Sequence, residues 1–218
     1  MRLLSTKMLD YSLKERILSL GFSLIEFPFI AIEPLSLSEI ELKGSTVIFS
    51  SQNAVEQAFR HKKLGAQIQI KKCVCVGSKT QLLLEQYNIQ VQSCAQTADD
   101  LVQYFNPEET YSFICGKRRL PKIEKALATL QRPCQIIEVY DTHLTPKTIQ
   151  TTIDGLLFFS PSAVESYFSV PQNTTGPAFC LGPSTHTTYQ KFGSHGILSI
   201  APNANGMLGT IHQYFKNL

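Results

Sequence analysis

Val47-Ile48-Phe49-Ser50-Ser51-Gln52-Asn53-Ala54-Val55-Glu56-Gln57-Ala58-Phe59 decides the reading of this chain, because it returns as Leu156-Leu157-Phe158-Phe159-Ser160-Pro161-Ser162-Ala163-Val164-Glu165-Ser166-Tyr167-Phe168 at an offset of 109 (160 − 51). Each copy is an apolar, strand-like run, a short polar break and the start of an amphipathic helix. Two further pairs follow in the same order. Cys75-Val76-Gly77-Ser78-Lys79-Thr80 answers Cys180-Leu181-Gly182-Pro183-Ser184-Thr185 at 105 (180 − 75), and Ser93-Cys94-Ala95-Gln96-Thr97-Ala98 answers Ser199-Ile200-Ala201-Pro202-Asn203-Ala204 at 106 (199 − 93). Three co-linear blocks at nearly one offset imply two related domains facing a shared cleft.

Outward from the repeat, β-branched and aromatic runs alternate with helical periodicity, the pattern of α/β units with parallel sheets. Strands are expected near 2–7, from 23, and near 46–51, 73–77, 91–94, 111–115, 134–139, 155–159, 178–181 and 197–200. Helices are expected near 11–20, 53–63, 79–87, 98–105 and 121–130. The prolines at Pro28 and Pro34 suit a connector better than a central strand. The expected architecture is therefore two similar domains, each a parallel five-stranded sheet flanked by helices, joined by a two-stranded connector. A discontinuous first domain would take residues 1–33 and 145–218, with a second domain, 43–136, inserted into it; 34–42 and 137–144 would be the connectors. Double crossings of this kind permit hinge motion.

Composition excludes several function classes. With 43% hydrophobic and 17% charged residues among 218, the chain has the balance of a soluble globular protein. The opening Met1-Arg2-Leu3-Leu4-Ser5-Thr6-Lys7 lacks the apolar core of a signal peptide, and Glu26 and Pro28 break the most apolar stretch, so a cytoplasmic protein with no membrane span is expected. Six cysteines form no CxxC pair and sit in apolar runs, as buried reduced thiols do. Five histidines show no HExxH spacing, so no metal is expected. A formal charge of +3 is too mild to imply nucleic acid; an acidic small ligand fits as well. Gly77-Ser78-Lys79-Thr80 holds a GxKT fragment, but Val74 stands where the phosphate loop needs its other glycine, and there is no GxGxxG.

What remains is a set of helix starts at the carboxyl ends of strands, the edge where open α/β sheets bind ligands. Ser162-Ala163-Val164-Glu165 fits a capping box, Asn53-Ala54-Val55-Glu56 is the same device with Asn as the cap, and Thr97-Ala98-Asp99-Asp100 fits more loosely. Helix starts offer backbone N–H groups and a partial positive charge, so they bind carboxylate or phosphate without a basic side chain. Three starts in each domain would suit a ligand with many anionic arms. Lys117-Arg118-Arg119 follows a strand and reads either as a solvated loop or as cations drawing acidic groups to the cleft mouth. Tyr140, taken alone, reads as a strand-end aromatic.

These pieces in this order resemble the uroporphyrinogen-III synthase family. The resemblance covers almost the whole chain and is carried by Ile48-Phe49-Ser50-Ser51-Gln52-Asn53-Ala54-Val55, Val76-Gly77-Ser78-Lys79-Thr80, Cys115-Gly116-Lys117-Arg118-Arg119-Leu120-Pro121, Val139-Tyr140-Asp141-Thr142, Phe158-Phe159-Ser160-Pro161-Ser162-Ala163-Val164 and Leu181-Gly182-Pro183-Ser184-Thr185. It implies an enzyme, expected as a monomer, that cyclises hydroxymethylbilane without metal or organic cofactor. In the family's reaction the ring A hydroxyl is lost, the substituted carbon of ring D attacks to give a spiro intermediate, and ring D ends inverted. The resemblance puts the candidate acid at Tyr140 and pocket hydroxyls at Thr80 and Thr185. It implies further substrate contacts at Ser51, Gln52, Asn53, Lys117, Arg118, Ser160, Pro161, Ser162, Ala163, Gly182 and Ser184. Lys7 stands where many members have Arg, and Ser50 replaces a common Thr. The competing reading is a non-catalytic two-domain protein that closes over an anionic ligand. A response-regulator-like module fails, because the first strand lacks clustered aspartates.

Overall fold

The computed structural model describes residues 1–174 and 176–216. Along the chain run β1 (Arg2–Ser5), α1 (Tyr11–Ser19), β2 (Ser23–Glu26), β3 (Ile30–Pro34), β4 (Thr46–Phe49), α2 (Gln52–Arg60), α3 (Lys62–Ile68), β5 (Lys72–Val76), α4 (Ser78–Gln86), β6 (Val91–Ala95) and α5 (Ala98–Leu101). After one 3-10 turn come β7 (Tyr111–Gly116), α6 (Lys122–Thr129), β8 (Cys134–Leu144), β9 (Gly155–Phe158), α7 (Pro161–Phe168), β10 (Ala178–Cys180), α8 (Pro183–Tyr189), β11 (Gly196–Leu198) and α9 (Ala204–Lys216). The chain divides into two compact units, Met1–Ala31 with His143–Leu218, and Ile32–Thr142. Of the span expected as the first domain, residues 175, 217 and 218 lie outside the described residues.

The first unit holds a five-stranded parallel sheet of order β11-β10-β9-β1-β2. Strict alternation sorts its residues. Leu4, Leu156, Phe158 and Cys180 pack with Val164, Tyr167 and Tyr189 of α7 and α8 on one face. Leu3, Leu157 and Phe179 meet Leu13 and Ile17 of α1 and Met207 and Ile211 of α9 on the other. Both faces are covered, so the strands read as continuous apolar runs rather than alternating ones.

The second unit departs from expectation, because its sheet has six strands in the order β3-β8-β7-β4-β5-β6. Its four pairings from β8 to β6 are parallel, whereas β3 joins β8 antiparallel. Leu35 N donates to Val139 O and Thr145 N to Phe29 O, so residue number rises on one strand as it falls on the other. Pro34 is tolerated because β3 is an edge. Of the expected two-stranded connector, residues 137–144 lie in β8 and Pro34 ends β3, so these residues belong to the sheet. Residues 35–44 likewise lie against this unit: Leu42 is buried, Leu42 N donates to Gln67 Oε1, and Gly44 N donates to Ser112 Oγ. A Cβ on Gly44 would stand 2.3 Å from Ser112 N, so only glycine allows this approach.

The expected single helix 53–63 is two. His61, at φ −89° and ψ 95°, closes α2 and opens α3, where its Nδ1 accepts from Leu64 N. The expected 98–105 helix tightens after one turn into a 3-10 turn over Val102–Tyr104.

The repeat has a topological meaning. Its blocks are β4-α2-β5-α4-β6 and β9-α7-β10-α8-β11, which occupy equivalent halves of their sheets. The other half comes before the repeat in one unit (β1, β2) and after it in the other (β7, β8), so sequence identity has nothing to align there.

Candidate functional site

The polar break of each repeat is a helix cap, two residues earlier than the capping-box template places it. Ser51 and Ser160 are the N-caps of α2 and α7, accepting from Ala54 N and Ala163 N at 3.2 Å each. Asn53 and Ser162 therefore sit inside the first turn, and the N–H of Ala163 is taken by its own cap. Gln52 and Pro161 occupy the first helical position, where Pro is well suited because its missing N–H has no partner to lose. The looser candidate is the complete one: Thr97 Oγ1 accepts from Asp100 N while Asp100 Oδ2 accepts from Thr97 N.

The second block opens differently. Gly77 and Gly182 are the N-caps of α4 and α8, and neither supplies a side chain to the first turn. Gly77 adopts φ +86°, a conformation that favours glycine. Thr80 and Thr185 fall at the third position of their helices, both buried, with Ser184 exposed just before Thr185.

In each sheet the strand order reverses beside the capping serine, between the parallel strands β4 and β7 in one unit and β9 and β1 in the other. Such switch points, at the carboxyl ends of strands, are where open α/β sheets take ligands. In the second unit Tyr140 of β8 reaches over β7, and its hydroxyl lies 3.1 Å from Ser51 Oγ. In the first unit Thr6 Oγ1 donates to Leu157 O, and Lys7 Nζ lies 4.5 Å from the centroid of the Phe159 ring.

Tyr140 is 7% exposed, and burial pushes its phenol above the ordinary tyrosine range. Hydrogen bonding to Ser51 and Asn53 works against that rise, and Cys115 adds to it. The phenol is consequently protonated at neutral pH. Burial likewise holds Cys73, Cys115 and Cys180 as thiols, pushed up to about 12.

Lys117, Arg118 and Arg119 separate on folding. Lys117 Nζ stands 3.7 Å from Asp141 and stays largely exposed, as does Arg118. Arg119 does not share the role of a cation awaiting substrate: it pairs with Glu124 at 2.5 Å and Glu138 at 2.7 Å and donates to Gly116 O at 3.0 Å. It staples the β7–α6 loop to β8. Nothing in the local sequence signals this, because Glu138 lies nineteen positions away in sequence.

Gly116 packs against Tyr140, a contact that sequence reasoning passed over. A Cβ there would stand 2.5 Å from Tyr140 Cζ and 2.8 Å from its hydroxyl oxygen. Among the described residues, no group of three or more His, Cys, Asp or Glu side chains could hold a metal ion, and no helix is long and apolar enough to cross a membrane.

The fold compares with two solved structures. A uroporphyrinogen-III synthetase from Helicobacter pylori superposes with a TM-score of 0.74 at 14% identity, over 98% of this chain and 100% of the other. A mutant uroporphyrinogen III synthase from Thermus thermophilus gives 0.67 at 14% identity, over 100% and 99%. No curated protein sequence matches significantly. The sequence model described as uroporphyrinogen-III synthase HemD matches residues 12–209, nearly the whole length. The chain therefore belongs to the uroporphyrinogen-III synthase family, the cyclising lyases of haem biosynthesis.

Proposed function

We propose that Tyr140 is the proton donor in the cyclisation of hydroxymethylbilane to uroporphyrinogen III by this chain. The pyrrole nitrogen of ring A pushes out the hydroxyl, and the Tyr140 proton leaves with it as water. The substituted carbon of ring D attacks the exposed methylene to give the spiro intermediate, which breaks and rejoins with ring D inverted. The proton shed when the last pyrrole regains aromaticity returns to the phenolate, so the net change is loss of one water. The observation that carries this reading is a buried, protonated phenol at a sheet switch point, 3.1 Å from a helix-capping serine.

The remaining machinery holds and orients. We assign the acetate and propionate arms to the helix starts that open at Ser51-Gln52-Asn53, Gly77 to Thr80, Ser160 to Ser162 and Gly182 to Thr185, with Pro161 and Ala163 shaping the α7 start rather than donating. Backbone donors fixed before the substrate arrives lose little on binding. Electron-rich pyrroles make the bonds once they are held in line. Lys117 and Arg118 draw the polyanion in. The chain works as a cytoplasmic monomer, with no metal, no cofactor and no nucleic-acid partner. Supplying hydroxymethylbilane to wild type and to Tyr140→Phe, and separating the type I and type III products, tests the assignment.

A further inference from the structure

We propose that Ser51 and Gly116 are positioning residues that turn the Tyr140 hydroxyl outward with its proton free, Ser51 by donating to the phenol oxygen and Gly116 by leaving room for the ring; the proposal rests on Tyr140 as the proton donor.

Three observations carry it. The first is a fault in the β7–β8 ladder. Cys115 pairs with Glu138, but Gly116 pairs with Tyr140, so β8 carries one extra residue there. Side chains of a regular strand alternate between faces. Here the consecutive residues Val139 and Tyr140 both join the cluster that packs against α2, Val139 beside Ile137 and Tyr140 near Ala54 and Val55. Without the bulge, Tyr140 would point to the opposite face, toward α5 and α6. Bulges of this kind re-aim a side chain.

The second observation is the floor beneath the ring. The hydroxyl end of Tyr140 lies so close over Gly116 that a methyl group there would stand 2.5 to 2.8 Å from three atoms of the ring end. Any other residue must push the phenol off the rim.

The third is the contact between the two hydroxyls. Ser51 Oγ accepts from Ala54 N at 3.2 Å and lies 3.1 Å from the Tyr140 hydroxyl. The amide N–H occupies one lone pair of Ser51 Oγ, and in the proposed arrangement the serine proton points to the phenol oxygen. Tyr140 then keeps its own proton for the departing hydroxyl. A donor on the phenol oxygen also stabilises the phenolate left behind, as does the nearby N-terminus of α2. That support matters because burial disfavours the phenolate.

The test uses full-length protein carrying tyrosine labelled with carbon-13 at Cζ, with the Tyr140 resonance assigned by its loss in Tyr140→Phe. Ser51→Ala should move that resonance at neutral pH and lower kcat about fivefold with KM near wild type. Ser51→Thr should restore both. In the Tyr140→Phe background, Ser51→Ala should lower kcat by well under fivefold, the remainder being the loss of the α2 cap. Gly116→Ala should move the resonance as well. An unmoved resonance in Ser51→Ala, or an equal loss with and without the Tyr140 hydroxyl, would overturn the proposal. Full activity in Tyr140→Phe alone would defeat the donor reading instead, and the resonance would still decide whether Ser51 and Gly116 hold the hydroxyl.

Discussion

Tyr140→Phe removes one oxygen atom from a side chain that is 7% exposed, and the structure limits what else can change. The ring keeps its place over Gly116. Ser51 Oγ keeps its bond from Ala54 N, so α2 remains capped. The folded state loses one hydrogen bond, worth about 1 kcal/mol, and regains part of that by no longer burying a hydroxyl. Unfolding midpoints should therefore shift little. Catalysis should suffer more, because general acids contribute about a hundredfold to ten-thousandfold. The pyrrole nitrogen supplies much of the push on the leaving hydroxide, which places the loss near a hundredfold in kcat, with KM close to wild type. Since burial raises the phenol above its usual range, wild-type activity should lose no acid function between pH 6 and 9, falling only above the ordinary tyrosine value of about 10. Initial rates across that range, with product isomers separated, make the comparison. A Phe variant with wild-type kcat would refute the reasoning and leave Tyr140 as a packing residue.

Other perturbations divide binding from folding. Thr80→Ala and Thr185→Ala should each weaken turnover without unfolding the protein, by the roughly 1.5 to 3 kcal/mol of a hydrogen bond to a charged group; wild-type kinetics in both would misplace the pocket. Neutralising Lys117 and Arg118 should raise KM more than it lowers kcat, and the effect should shrink as salt screens the charges beyond a Debye length of about 8 Å; a salt-independent kcat loss would contradict it. Arg119→Ala should instead destabilise the fold by about 1 kcal/mol, read by denaturant unfolding, since it leaves the partly exposed Glu124 and Glu138 without their partner. Glu26 is a pH-dependent case. Burial opposes its charge, yet bonds from Lys14 Nζ and Leu9 N hold its carboxyl below the ordinary value. Its stabilisation is present above the unfolded-state value of about 4.3 and is lost as pH falls through the lower folded value, so Glu26→Gln should be less stable at pH 7 and converge with wild type in acid. A gap that persists in acid would contradict the assignment.

Local patterns in the sequence carried much of this. The repeat marked the two α/β halves because Ser51 and Ser160 solve one problem, the first turn of a helix leaving a strand. The template then placed both caps two residues late, since Asn53 and Ser162 each stand three residues before a Glu, and reach of the side chain to the third helical N–H, rather than pattern, decides the cap. What could not be read is non-local. Arg119 resembles its cationic neighbours until Glu138 comes beside it in the sheet. Gly116 resembles a loop glycine until a one-residue bulge brings Tyr140, twenty-four positions on, above it (140 − 116). The antiparallel edge strand β3 was hidden because Pro28 and Pro34 argue against a central strand without excluding an edge.

The central claim is that this chain inverts ring D, and the product isomer measures it directly. A control without protein gives the isomer formed by unassisted closure, and the purified protein should yield type III in its place after oxidation and separation of the uroporphyrins. Type I alone, at the rate seen without protein, would contradict the account.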